Sequence, residues 1–409
     1  MNHKSILDQI LTNQQAEAVA KLDSMEIINN LFNHLNEREK DVLTCRFGLQ
    51  GDERETLEKI GNVHKLTRER IRQIEANSIK KLRLLQNLET YLIGFKKVIS
   101  QLLEEHGGLM EKEYLFSNLA NFSSTDTKNK TADSLYKNHY DFLISKLLAD
   151  EFEEINDSQH FKNSFKLKYQ SLDHLEALTQ GLLEKIKEAK RVFLTEELIS
   201  LAKELLVYQE NQEKFQPPNN LDLSLILENE HFNENSAVIN ANKVIFSILK
   251  AAQMIEQNKY GHWGLDDWRE IEPKTINDKI YLILKNYSKP LHFTKIAEKI
   301  NQIKFDDKMA NAATVHNELI LDDKYILVGR GLYALKEWGY QKGTVSEVIK
   351  IILTKADKPL SREAIISQVL EQRLVRKATI NLALMNNKKF EKLNDGSYQM
   401  RKENAVPLN

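Results

Sequence analysis

Cysteine occurs once in the 409 residues, at Cys45. A lone thiol cannot close an internal disulfide, and it cannot anchor a metal site of Cys/His spacing. The disulfide-stapled secreted class and the structural zinc class are therefore excluded. Proline and glycine are scarce, with 6 and 14 residues. That argues against a turn-rich all-β chain and for helices with short connections. No apolar run reaches the roughly 18 residues needed to span a bilayer. The opening stretch, MNHKSILDQILTNQQ, lacks the basic-then-apolar pattern of a secretory signal, so the expected location is cytoplasmic. No Gly-rich phosphate loop is found, nor a His-x-x-x-His with a third ligand, nor a Ser or Cys nucleophile with a partner. The expectation is a non-enzymatic protein with no cofactor and no metal. Asp306-Asp307 and Asp322-Asp323 read as solvated turn acids, and Cys45, flanked by Leu43 and Phe47, as a small packed residue.

What is present is a globular composition, 41% hydrophobic and 29% charged, on a chain long enough for several domains. The net charge of −1 hides local basic stretches. From Lys65 to Arg83, seven basic residues face two acidic ones; from Gln341 to Asn409, thirteen face seven. Affinity for phosphate backbones follows such patches rather than the total.

Beyond about residue 90 the chain repeats itself. Residues 312–335, AATVHNELILDDKYILVGRGLYAL, align without a gap to residues 377–400, KATINLALMNNKKFEKLNDGSYQM. Ala313 meets Ala378, Leu319 meets Leu384, Gly331 meets Gly396 and Tyr333 meets Tyr398. Upstream, residues 280–296 and 349–365 share a Lys-Pro-Leu. Weaker copies lie at 242–265, where Gly261 and an aromatic-x-Leu ending recur, and at 143–167. Each copy reads as a helix, a strand-like link, two further helices and a hairpin, with Asp395-Gly396 as a strong hairpin turn in the last. Three helices plus such a hairpin make a winged helix-turn-helix. Linkers are expected at Asn121–Thr131 and near Glu270 and Gln341, and a loop at Gln216–Asn220.

Residues 31–85 carry a different pattern. Asn36 is placed to cap a helix with Glu37 and Glu39 in its first turn, and Leu35, Val42 and Leu43 form its apolar face. Gly48 and Gly51 break it. Thr56 caps a short helix expected to end at Gly61, and Thr67 caps a long one whose inner face is Ile71, Ile74 and Ile79. Short helix, tight turn at His64–Leu66 and long capped helix form a helix-turn-helix. Near the N-terminus of the long helix stand Arg68, Glu69, Arg72 and Gln73, types that hydrogen-bond guanine, cytosine and adenine edges in the major groove. Thr67, Arg70, Lys80, Lys81 and Arg83 suit phosphates. Arg and Glu on an exposed helix also commonly just pair with one another.

The run TLEKIG…TRERIRQIEA…KKLR, preceded by LNEREKDVLTCRFGL, resembles region 4 of bacterial sigma factors over about 55 residues. The resemblance implies that Arg68, Glu69, Arg72 and Gln73 read the −35 promoter element. It also implies that the preceding helix, through Leu43, Arg46 and Phe47, contacts the β flap of RNA polymerase. No aromatic-rich segment resembling the sigma region that melts the −10 element is found, so a complete sigma factor is not expected. Residues 276–340, on KPLHFTKIAEKIN and ATVHNELILDDKYILVGRGLYALKEW, resemble the HARE-type helix-turn-helix family, which includes the N-terminal domain of the RNA polymerase delta subunit.

The expected architecture is mainly α, with tandem helix-turn-helix domains. A polar arm (1–25) leads into a sigma-region-4-like domain (26–90), four winged helices (91–170, 171–269, 270–340 and 341–402) and a tail (403–409). In the last winged helix, Arg376, Lys377, Thr379 and Asn381, followed by Lys388 and Lys389, offer a second contact to DNA. Trp263, Trp268 and Trp338 read as core. The expected partners are double-stranded DNA and RNA polymerase, in modulating transcription initiation. The alternative is a DNA-organising or scaffold protein of low sequence preference and steep salt dependence.

Overall fold

The computed structural model describes residues 23–51, 53–122, 130–156, 158–216, 236–356, 358–386 and 389–401. The arm up to residue 22, the middle of the 121–131 linker, residues 217–220, Lys388 and the tail lie outside them. The chain is mainly helical and divides into two compact units, Met1–Asp266 and Asp267–Asn409.

The first unit opens with α1 (Ser24–Phe32), α2 (Glu37–Phe47), α3 (Leu57–His64) and α4 (Arg68–Arg83). Their ends are set by local chemistry. Asn36 accepts from the Glu39 N–H while the Glu39 carboxylate takes the Asn36 N–H, a reciprocal cap, and Gly48 closes α2 in the left-handed region at φ 65°. Thr56 and Thr67 cap α3 and α4 with hydrogen bonds from Lys59 and Arg70 N–H. Helix α3 does not stop at Gly61. It runs to His64, and Lys65 takes the left-handed turn at φ 55°. Gly61 serves a different purpose: a Cβ there would lie 2.7 Å from the Leu66 carbonyl oxygen. The glycine admits the turn against α3 instead of ending the helix.

Next come α5 (Leu88–Glu105), β1 (Leu109–Glu111), α6 (Lys112–Phe122), α7 (Lys130–Phe142), a π-turn (Leu143–Leu147), β2 (Phe152–Ile155) and β3 (Ser164–Leu167). The strands pair antiparallel in the order β1–β3–β2, with Met110 opposite Phe165. No packing boundary falls near residue 90. One apolar core gathers Leu31, Leu43, Phe47 and Leu82 from α1, α2 and α4 with Phe95, Tyr140, Leu143 and Phe165. His139 stitches the same seam. Its Nε2 donates to the Leu49 carbonyl at 3.0 Å, and its Nδ1 sits 3.2 Å from the Ser24 hydroxyl. Burial holds its pKa below the usual imidazole range.

The unit closes with α8 (Asp173–Ala189), α9 (Thr195–Glu204), α10 (Leu206–Glu210), α11 (Ser236–Asn240), α12 (Lys243–Ala251), β4 (Ile255–Gln257) and β5 (Trp263–Leu265). Phe193, in the link between α8 and α9, bridges to Trp263. The Trp263 indole is buried and donates to Thr195 at 2.8 Å, so it belongs to the core. Helix α12 is bound to the preceding segment by the Ser247 hydroxyl on the Leu109 carbonyl at 2.6 Å and by Lys243 3.3 Å from Glu105, both charges buried.

The second unit runs α13 (Ile276–Tyr287), β6 (Leu291–His292), α14 (Phe293–Ile303), α15 (Ala312–Leu321), β7 (Tyr325–Gly329) and β8 (Leu332–Leu335), in sheet order β6–β8–β7. It continues with α16 (Val345–Lys355), α17 (Arg362–Gln372), α18 (Lys377–Leu384), β9 (Phe390–Lys392) and β10 (Tyr398–Met400), with Leu360 bridging to Tyr398. Arg373 is buried and reaches back to the Leu327 carbonyl at 3.0 Å, and the Leu374 N–H bonds the Val328 carbonyl. Asp306 pairs with Lys279 and Asp323 with Lys342, both at 2.6 Å. Trp338 packs on the Ile326–Val328 cluster.

Two stability outcomes follow. Removing one member of a buried ion pair strands the other charge and costs about 3–5 kcal/mol. Lys243→Met should therefore lower the unfolding free energy of the full chain by that order, and Glu105→Gln/Lys243→Met by distinctly less, as measured by urea denaturation. A double variant as damaged as the single would show that the loss does not come from the Glu105 charge left behind. His106 provides the second. It is fully buried, its Nδ1 is 2.8 Å from the Leu102 carbonyl and so carries the proton, and burial pushes its pKa down to about 4. The unfolded chain takes up this proton first, so the contribution of the neutral ring is complete above about pH 6.5 and is lost as pH falls toward 4. Between pH 7.5 and 5 the wild type should lose about 2 kcal/mol more than His106→Gln. Equal losses would place the pH dependence elsewhere.

Candidate nucleic-acid interface

Helix α4 buries one side and offers the other. Ile71 is fully buried against Val42 and Ile60, with Ile74, Leu57, Leu66 and Cys45 around them. Ser78 and Leu82 are buried too, and Ile79 packs on the larger core. On the opposite side Thr67, Arg68, Glu69, Arg70, Arg72 and Gln73 are exposed. All four residues expected to read bases thus stand on one free surface at the helix N-terminus. The α3–turn–α4 packing holds their backbone in place.

Their side chains are not all idle. Arg72 grips Glu69 with two bonds, Nε to Oε2 at 2.9 Å and Nη2 to Oε1 at 2.7 Å. The Arg72 bond holds the Glu69 carboxyl below its ordinary pKa. Arg70 donates to Gln73 at 3.1 Å. Arg68 and Lys80 make no ion pair among the described residues. In this state Glu69 is an accepting partner for Arg72, not a free acceptor for cytosine. Because Arg72 bonds through its Nε edge, its outer Nη1–Nη2 edge stays open.

Two of the expected phosphate contacts have internal work. Lys81 lies 3.1 Å from Glu39. Arg83 donates from Nε to the Lys146 carbonyl at 2.6 Å, joining α4 to the π-turn. Lys80 is exposed and is the better phosphate candidate on that stretch.

The expected polymerase contacts need a larger correction. Leu43 is wholly buried, and Phe47 is buried with its ring 5.0 Å from that of Phe142. Arg46 is half-buried, donating to the Glu55 carbonyl at 3.1 Å and lying 3.5 Å from Glu75. The apolar face of α2 is covered by residues of the α7 segment, so Leu43 and Phe47 present no surface to a partner in this conformation.

In α18, Arg376, Lys377 and Thr379 are exposed as expected. Asn381 is half-buried and accepts from Arg362 at 2.8 Å, which removes it from the free set. Among the described residues no group of three or more His, Cys, Asp or Glu is placed to hold a metal ion, and no helix is long and apolar enough to cross a membrane.

Some contacts at this site were not foreseen. Arg54 donates to Asp141 at 2.7 Å and to Asn138, and Asn138 donates to the Gly48 carbonyl. These bonds tie the loop after α2 to α7 across 84–90 positions of sequence. No local pattern announces a bond between residues so far apart.

Comparison with known proteins places this geometry. Residues 31–84 match the family described as Sigma-70, region 4. The RNA polymerase sigma factors SigA of Microcystis aeruginosa and of Synechocystis sp. are each 46% identical over 67 residues, 16% of this chain and 16% of theirs. RpoD of Helicobacter pylori is 56% identical over 57 residues, 14% of this chain and 8% of its own. The chain thus spans about a sixth or less of the length of these relatives. No solved structure matches the chain. Residues 31–84 are a sigma-70 region 4 domain.

Proposed function

We propose that this chain binds duplex DNA through the exposed N-terminal half of α4 and modulates transcription initiation without being a complete sigma factor. It would act on −35-like promoter DNA, on RNA polymerase, or on both. The observation that carries the reading is the joint exposure of Arg68, Glu69, Arg72 and Gln73 on a Thr-capped helix packed into a region 4 domain. Arg72 would read guanine with its open edge while Glu69 sets the direction of its guanidinium. The protein is taken as cytoplasmic and non-enzymatic.

The four later segments are read as winged helices, with the third as a HARE-type module. Support comes from the order of helix, link, helix, helix and hairpin in the first, third and fourth, and from the matched sheet orders β1–β3–β2 and β6–β8–β7; the second differs, with four α-helices (α9–α12) among the described residues between its link and its hairpin. Arg376, Lys377 and Thr379 would supply a second, sequence-blind contact to DNA. Any docking on the β flap of polymerase would run through surfaces other than Leu43 and Phe47, or would follow their uncovering.

The test is fluorescence anisotropy of the full chain on a −35-like duplex and a scrambled one at several salt concentrations. Arg72→Ala should cost about 1–3 kcal/mol on the cognate duplex and little on the scrambled one. Lys80→Ala should weaken both alike and lower the salt slope by about one. Equal losses from Arg72→Ala on both duplexes would dismiss base reading and favour the DNA-organising alternative.

A further inference from the structure

A cavity of about 250 Å³ lies at the seam where the loop after α2 meets α6, α7 and β2. Four cations line it: Arg46, Arg54, Lys112 and Lys146. Against them stand Asp141 and Glu154 in the wall, with Glu75 behind Arg46. We propose that this cavity is a binding site for a phosphate-class oxyanion.

The cations differ in how far they are used. Lys112 is 2.6 Å from Asp141 and 2.9 Å from Glu154, and Arg54 is 2.7 Å from Asp141, so these four segments are already locked together. Lys146 has no ion pair among the described residues; its ammonium stands 6.0 Å from the centre of the Phe47 ring. Arg46 turns its buried Nε to Glu75 at 3.5 Å and spends an Nη1 bond on the Glu55 carbonyl. An incoming oxyanion therefore meets one unpaired ammonium, on a wall whose carboxylates are committed to other partners. Counting Glu75, the site retains an excess of one positive charge in partly buried surroundings, where attraction is screened less than at an open surface.

The backbone adds a second observation. Ser145 and Lys146 sit in the π-turn Leu143–Leu147 that ends α7. Such turns are rare and concentrate at functional sites. Here two adjacent residues of the turn are held: Ser145 donates to Asp141, and the Lys146 carbonyl takes the Arg83 bond. The chain thus fixes Lys146 at the rim without satisfying its charge. Phosphate suits this donor set because it presents several acceptor oxygens to Arg and Lys at once. The volume is below the roughly 300–1,000 Å³ of pockets for drug-sized ligands, so it suits a single phosphoryl or pyrophosphoryl group.

That group could come from free phosphate compounds or from a DNA backbone. The site does not depend on base reading by α4, so its failure and the failure of that reading are distinguishable. The experiment uses the full chain, with pyrophosphate titrated by calorimetry at constant ionic strength and duplex DNA by anisotropy. Lys146→Ala is compared with Lys97→Ala, an exposed lysine outside the cavity, both checked for wild-type circular dichroism. Saturable pyrophosphate binding, weakened at least tenfold by Lys146→Ala and unchanged by Lys97→Ala, supports a free anion as ligand. No saturable pyrophosphate binding, together with a salt slope on duplex DNA lowered by about one in Lys146→Ala alone, supports a backbone phosphate. If Lys146→Ala behaves as wild type or as Lys97→Ala in both titrations, the site is refuted. Should Arg72→Ala show no base selectivity while the first result holds, the cavity stands and the promoter-reading proposal falls.

Discussion

The arrangement of the first unit depends on how α4 is buried. Its 16 residues make a rod of about 24 Å, and its underside is claimed by two cores. Near the N-terminus Ile71 and Ile74 pack with Val42 and Ile60 in the small helix-turn-helix core. Near the C-terminus Ile79 and Leu82 join the larger core that includes Phe95, Tyr140 and Phe165. Ser78 lies between, fully buried, with its hydroxyl spent on the Ile74 carbonyl at 2.7 Å. Each such apolar side chain contributes on the order of 1.5–3 kcal/mol when fully buried, so α4 cannot roll without exposing one core or the other. That constraint is what aims Arg68, Arg72 and Gln73 at solvent.

The same anchoring explains why the basic residues of α4 divide as they do. Those at the free end, Arg68 and Arg70, meet no carboxylate of a neighbouring segment among the described residues. Those over the large core stand next to other parts of the chain and are drawn into use: Lys81 by Glu39 and Arg83 by the π-turn carbonyl. A helix read alone shows six positive charges in one basic stretch. Packed, it shows a reading end and a docking end. The covering of Leu43 and Phe47 has the same origin, since the apolar face of α2 is part of the surface against which the α7 segment folds.

Local chemistry was legible in the sequence and long-range pairing was not. Asn36, Thr56 and Thr67 announce their helices because a cap is a contact between residues three apart. The Asp395-Gly396 turn announces β9 and β10 for a similar reason, with Gly396 at φ 86°. Gly61 misled because glycine has two uses, ending a helix and admitting a close neighbour, and the pattern of one strand of sequence cannot separate them. The shared core across residue 90 was hidden because the apolar faces of α2, α5 and α7 look alike whether they face one another or separate interiors. Arg54, His139 and Lys146 gained their roles from partners that only the folded chain brings near.

The repeats show where a weak sequence signal had a definite structural cause. Each copy ends in an aromatic residue on its last strand, and in the final three a glycine precedes it by two positions. In every copy that aromatic lies opposite the link after the first helix: Phe165 opposite Met110, Trp263 opposite Phe193, Tyr333 opposite Leu291, and Tyr398 opposite Leu360. The link and the last strand are far apart in sequence, yet their pairing closes each segment across its helices. Phe165, Trp263 and Tyr333 are buried there, while Tyr398 remains half-exposed. A position that must both extend a strand and fill the space over the helices favours a large ring. The glycine two residues earlier, at φ 82°, 69° and 86° for Gly261, Gly331 and Gly396, makes the turn that delivers it. The repeat recurs where the chain must close on itself and drifts elsewhere, so the faces between closures were left open to acquire different charges.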